Sequence, residues 1–198
     1  MENIYENINK NNINYTPKRD LPEINFFEGC SVEIKGESKN QYDVLFKEDG
    51  QTIYSSNLTP NHWCKINKRY FGNYSAGVYL DGKLIKESKL NLKNKNVKII
   101  IDSNSLGDNI AWIGQVDRFQ KVHNCNIYVY SKYNELFKDE YDNLNFDNEL
   151  PNYYASYRLG YYFKENWNNS IPKNSKTITL AQTASEILGL KYEEARPK

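Results

Sequence analysis

The sequence predicts an α/β chain: a small β-sandwich or barrel over residues 22–95, followed by one Rossmann-like domain over residues 96–198. Two observations predict it. Up to about Lys95 the chain reads as short alternating runs separated by turn residues, including two Asp-Gly pairs. From Val97 it changes to strand, turn and helix, then a further strand, which is the grammar of a parallel sheet.

The elements follow in order. Residues 1–21 are polar, contain Pro17, Lys18 and Arg19, and read as a flexible leader or strap. Ser31 to Lys35 alternates and is stopped by Gly36. Tyr42 to Lys47 and Gln51 to Ser55 flank Asp49-Gly50, and Ala76 to Leu80 and Lys83 to Glu87 flank Asp81-Gly82, so each pair predicts a hairpin. His62 to Ile66 is a further strand candidate. Ile99, Ile100 and Ile101 predict a strand covered on both faces. Ser103 to Gly107 is turn chemistry, and Asp108 opens a helix to His123. Ile110, Ile113, Val116, Phe119 and Val122 are expected on its buried face. Cys125 to Tyr130 predicts the next strand, Tyr133 to Phe137 a short helix, and Leu144 to Phe146 a third strand. The spacing of Tyr154, Tyr157, Arg158, Tyr161 and Tyr162 favours a packed amphipathic helix over a binding wall. Gln182 to Leu188 reads as a helix ended by Gly189.

Composition narrows the function. In 198 residues, 26 Lys and Arg balance 25 Asp and Glu, so no polyanion-binding surface is expected, neither nucleic acid nor anionic lipid. No apolar run is long enough to span a bilayer, and the polar start lacks a secretory h-region, so a cytoplasmic location is expected. Cys30, Cys64 and Cys125 form no CxxC pair, and they read as buried free thiols with no metal site. The chain has no GxGxxG after its first Rossmann-like strand, no GxxxxGK[ST] and no GxSxG.

Chemistry concentrates at the turn before the helix. Ligands of α/β sheets bind beyond the carboxyl ends of strands, where helix N-termini point. Asp108 has two readings there. Local preference makes it a helix cap. A carboxylate at a helix N-terminus is also charge-stabilised, and could act as a general base toward a hydroxyl attacking a good electrophile. Gly107 allows close approach of a ligand, and Ser105 and Asn109 offer hydrogen bonds to a substrate hydroxyl.

Five blocks in order carry a resemblance: Val32 to Ser38, Ile53 to Ser56, Ser105-Leu-Gly-Asp108, Tyr154 to Gly160 and Gln182 to Leu190. Through them the chain, from about Ile24 to Lys198, resembles the autotransporter strand-loop-strand O-heptosyltransferases, a branch of the heptosyltransferase-like GT-B glycosyltransferases. The resemblance implies that 96–198 is the N-terminal, acceptor-side domain of a GT-B enzyme, with Asp108 as catalytic base. It implies inverting transfer of heptose from ADP-heptose to Ser or Thr of an adhesin. Ser105, Gly107, Asn109 and Trp112 would shape the acceptor or sugar pocket, and Tyr157, Arg158 and Gln182 would line it. The sequence stops about where the donor-binding domain and the metal-binding cysteines of some members would begin. A partner subunit or missing half is therefore expected to supply the donor site, a homo-oligomer is possible in principle, and 1–198 alone is expected to be inactive. A non-catalytic module that binds protein or carbohydrate remains the alternative.

Overall fold

The computed structural model describes residues 19–146, 150, 152–161 and 169–198. It is a mixed α/β molecule of two sheets. Strands β1 (Leu21–Phe27), β2 (Ser31–Lys35), β3 (Tyr42–Glu48), β4 (Gln51–Leu58), β5 (His62–Lys65), β6 (Tyr74–Leu80) and β7 (Lys83–Lys89) come first. Then come β8 (Asn96–Ile101), α1 (Leu106–His123), β9 (Asn126–Tyr130), α2 (Asn134–Phe137), β10 (Leu144–Asn145), β11 (Ala155–Leu159) and α3 (Leu180–Ile187).

Two hairpins build the smaller sheet, of order β4-β3-β6-β7, all antiparallel. Both turns adopt the doubly left-handed backbone that matches strand twist, with φ of 49° and 82° at Asp49 and Gly50, and 50° and 73° at Asp81 and Gly82. The larger sheet has the order β10-β9-β8-β11-β1-β2-β5. Its first five strands run parallel, and β2 and β5 continue it antiparallel.

The larger sheet runs across the boundary expected at residue 95. β1 pairs with β11 through Phe26 opposite Ala155 and Phe27 opposite Ser156, and β2 and β5 follow it. The early strands divide between the two sheets because β1 offers a buried edge partner to β11. One buried cluster joins both, from Val44, Phe46, Tyr74 and Val78 on the small sheet to Ile99, Ile113, Phe119 and Leu159. Residues 1–18 of the expected leader lie outside the described residues.

Three local expectations give way. In β8 only alternate residues, Val97, Ile99 and Ile101, are buried, while Lys98 and Ile100 are half-buried. On that second face tyrosines pack over Lys98, whose ammonium lies 3.9 Å from the Tyr130 ring centre and 5.5 Å from that of Tyr153. In α1, Trp112, Ile113, Val116 and Phe119 are buried, but Ile110 and Val122 are 38% and 64% exposed. A strict three-residue step drifts off the face of a helix with 3.6 residues per turn. The tyrosine segment forms strand β11, in register with β8 from Val97 opposite Ala155 to Ile101 opposite Leu159. Sheet burial overrode its helical spacing. Tyr162 and Phe163, also in that segment, lie outside the described residues.

Candidate functional site

The parallel strands β8, β9 and β11 end within a residue of one another, Ile101 opposite Leu159 and Tyr130 opposite Ile100, and the turn from Asp102 to Ser105 leaves β8 at that edge. Ser105 takes the helix N-cap with extended backbone, and its hydroxyl makes no capping bond. Asp108 is thus the third residue inside α1, not its cap. Its carboxylate is held by two hydroxyls. Ser103 Oγ donates to Oδ2 at 2.5 Å and Tyr161 Oη donates to Oδ1 at 2.8 Å. Asp108 is 8% exposed. Burial, then the bond to the Asp108 carboxylate, pushes the Tyr161 hydroxyl up to about 12, so it stays a proton donor at neutral pH.

The turn beneath is clamped. Asn109 Nδ2 donates to the carbonyls of Ser103 (3.1 Å) and Ser105 (2.8 Å), and Asn109 Oδ1 accepts from Ser131 Oγ. Ser131 Oγ also accepts from the Tyr133 N–H, and Tyr133 Oη donates to the Asn104 carbonyl at 2.7 Å. Asn134 ties the same loop to the Val129 and Phe146 carbonyls. The ends of β8 and β9 are thereby fixed to one another under the carboxylate.

The expected residues divide into two groups. Asp108, Ser105 and Gly107 come together at the start of α1, Ser105 and Gly107 exposed and Asp108 buried. A Cβ on Gly107 would meet only Ser105 Oγ, at 3.7 Å, so the space at Gly107 itself is open. Leu106 and Ile110, 42% and 38% exposed, lie one helical turn apart beside it.

Asn109, Trp112 and Tyr157 are buried, and each makes contacts within the fold. Asn109 is the clamp just described. Trp112 Nε1 donates to the Leu180 carbonyl at 2.9 Å, joining α1 to α3, and its ring lies 5.4 Å from that of Tyr161. Tyr157 is 2% exposed and packs edge-on to Phe119 at 5.5 Å. Sheet alternation puts it on the α1 face, and burial raises its hydroxyl far above the ordinary value. Arg158 takes the opposite face, bonded to Asp102 at 3.0 Å and Glu28 at 3.6 Å. Gln182 lies along α3 near Glu186 and lines a separate cavity of about 620 Å³ with Glu48, Tyr70, Phe71 and Tyr192. Sequence reasoning missed Ser103 and Tyr161. Ser103 stood in plain view as a hydroxyl five residues before the carboxylate, whereas Tyr161 is 53 residues away and was placed on a helix.

No family model matches the chain. It is 30% identical over 192 residues to the autotransporter heptosyltransferase TibC of Escherichia coli O78:H11, an overlap that covers 91% of this chain and 46% of that protein. It is 28% identical over 179 residues to the autotransporter heptosyltransferase BAHTCr of Citrobacter rodentium, covering 86% and 43%. The chain is a relative of the autotransporter heptosyltransferases. Its fold also matches the crystal structure of TibC, described as an iron-containing dodecameric glycosyltransferase, with a TM-score of 0.79 at 22% identity over 89% of this chain and 48% of that one. A second TibC structure contains ADP-D-β-D-heptose. The chain spans less than half the length of these curated relatives.

The described cysteines are not arranged to hold a metal ion. Cys30, Cys64 and Cys125 are buried and free, with thiols pushed by burial up to about 12, 11 and 12. Thiols so protonated are poor ligands. Among the described residues no three His, Cys, Asp or Glu side chains converge.

Proposed function

We propose that this chain is the acceptor-side part of an autotransporter-type protein heptosyltransferase, with Asp108 as general base. One observation carries the proposal: a nearly buried carboxylate, in the first turn of a helix at the carboxyl edge of a parallel sheet, held by two hydroxyls and preceded by Gly107, whose Cβ direction is open. A carboxylate has about four lone-pair positions. Ser103 and Tyr161 occupy two, which leaves room for the hydroxyl of an acceptor Ser or Thr.

In the proposed step the acceptor O–H bond breaks and its proton passes to Asp108. The acceptor oxygen bonds to the anomeric carbon of the sugar, and that carbon's bond to the nucleoside diphosphate breaks, with the electron pair leaving on the diphosphate. Attack from the face opposite the leaving group inverts the centre. Gly107 gives the acceptor backbone room, and the exposed Leu106 and Ile110 offer it apolar contact. The donor is a nucleotide sugar, ADP-heptose by likeness to the relatives, bound by residues beyond those of this chain. The acceptor is an autotransporter adhesin on the same ground, and a homo-oligomer is the proposed assembly.

The experiment is an Asp108→Asn substitution in the longest protein that contains this chain, with transfer to a co-expressed Ser/Thr-rich adhesin followed by intact mass. Loss of a general base is expected to lower the rate by about 10²–10⁴-fold. Near-normal glycosylation by the variant overturns the proposal. Isolated 1–198 is expected to show no transfer, and turnover by it without any other polypeptide overturns that part.

A further inference from the structure

We propose that Tyr161, with Ser103, is a positioning residue that aims the Asp108 carboxylate. The inference rests on the reading of Asp108 as the base. Asp108 is the third residue of α1, where an acidic side chain commonly folds back onto the N–H of the N-cap residue. Here that N–H is occupied: Ser105 N donates to Ser103 Oγ at 3.1 Å. Because Ser103 Oγ accepts there, its own proton is directed to Asp108 Oδ2. The hydroxyl is a spacer that keeps the carboxylate off its own backbone.

Tyr161 fixes the other oxygen from a different element. It follows the end of β11 and donates to Oδ1 at 2.8 Å, with its ring tilted 56° against Trp112. Trp112 is in turn pinned to α3 by its bond to the Leu180 carbonyl. The orientation of the carboxylate therefore depends on β11 and α3 as well as on α1. Two hydroxyl donors from different elements fix both oxygens, so the carboxylate is held in one orientation. Tyr161 is the titratable side chain bonded to it. The other charged groups at this edge, Asp102, Arg158 and Glu28, pair with one another.

The test is acceptor kinetics of the complete protein, with the fold of each variant checked by its amide spectrum. Tyr161→Phe keeps the ring against Trp112 and removes only the donor. It is expected to lower kcat by about tenfold or more while the KM for the acceptor stays unchanged. Ser103→Ala should act in the same direction, and serves if the tyrosine variant is unstable. An unchanged kcat in both folded variants overturns the proposal. Full activity of Asp108→Asn overturns the assignment of Asp108 as base, whereas loss of activity in Asp108→Asn beside an unchanged kcat in both hydroxyl variants overturns the positioning alone.

Discussion

At the scale of single residues, the first turn of α1 separates groups that hold the site from groups that face out of it. Asn109 is fully buried, with its amide bonded to Ser103, Ser105 and Ser131, and it holds the turn from within. Gly107 is the reverse case. Its backbone needs no left-handed conformation and its Cβ direction is open. Alanine there is expected to stabilise the fold by about 0.5–1 kcal/mol, the ordinary gain over glycine in a helix. It should also raise the KM for a protein acceptor. Thermal unfolding and acceptor kinetics check the two halves, and an unchanged KM would mean that nothing approaches Gly107. The sequence placed Asp108, Ser105 and Gly107 together through their adjacency. It could not place Tyr161, because a bond across 53 residues depends on how β11 and α1 stack.

At the scale of elements, turn chemistry was the most legible signal and the tyrosine segment the least. Asp49-Gly50 and Asp81-Gly82 form the expected hairpins because few other residues tolerate consecutive positive φ. Gly189 ends α3 as expected, at φ 63°. It is also a close-packing point, since a Cβ there would lie 2.3 Å from Phe71 Cδ1. Gly189→Ala is expected to destabilise by more than about 1 kcal/mol, read by chemical denaturation, because left-handed backbone and collision add. Strand β11 was misread because tyrosine fits either pattern, and its parallel partners lie far away in sequence. The end of α1 carries a pH signature. His123 stacks against Phe71 and Phe119, its Nε2 is buried without a partner among the described residues, and burial lowers its pKa from 6.5. The unfolded chain therefore binds more protons as pH falls through 6.5, and stability should drop there. His123→Phe is expected to flatten that dependence below about pH 6.5, measured as Tm against pH.

At the scale of the whole molecule, the sheet makes the expected two-part division too simple. Parallel strand β11 lies between β8 and β1, and β1 leads into β2 and β5. Residues 96–198 expressed alone would expose the β1 side of β11 and strip cover from Phe119 and Tyr157, which pack against Phe71. That fragment is expected to give a collapsed amide spectrum, and sharp dispersed resonances would show that the Rossmann-like part stands without β1. The α/β class was legible from the change of pattern near Val97. The joint sheet was not, because one parallel pairing between residues 26–27 and 155–156 leaves no local trace.

All three scales converge on one carboxylate: the residues that hold it, the elements that bring Tyr161 to it, and the sheet whose carboxyl edge it occupies. The most direct test is the intact mass of a Ser/Thr-rich adhesin acceptor produced beside the complete protein, with Asp108 or with Asn in its place. The account predicts added sugar mass with Asp108 and an unmodified acceptor with the folded Asp108→Asn variant. Equal sugar addition by both would contradict it.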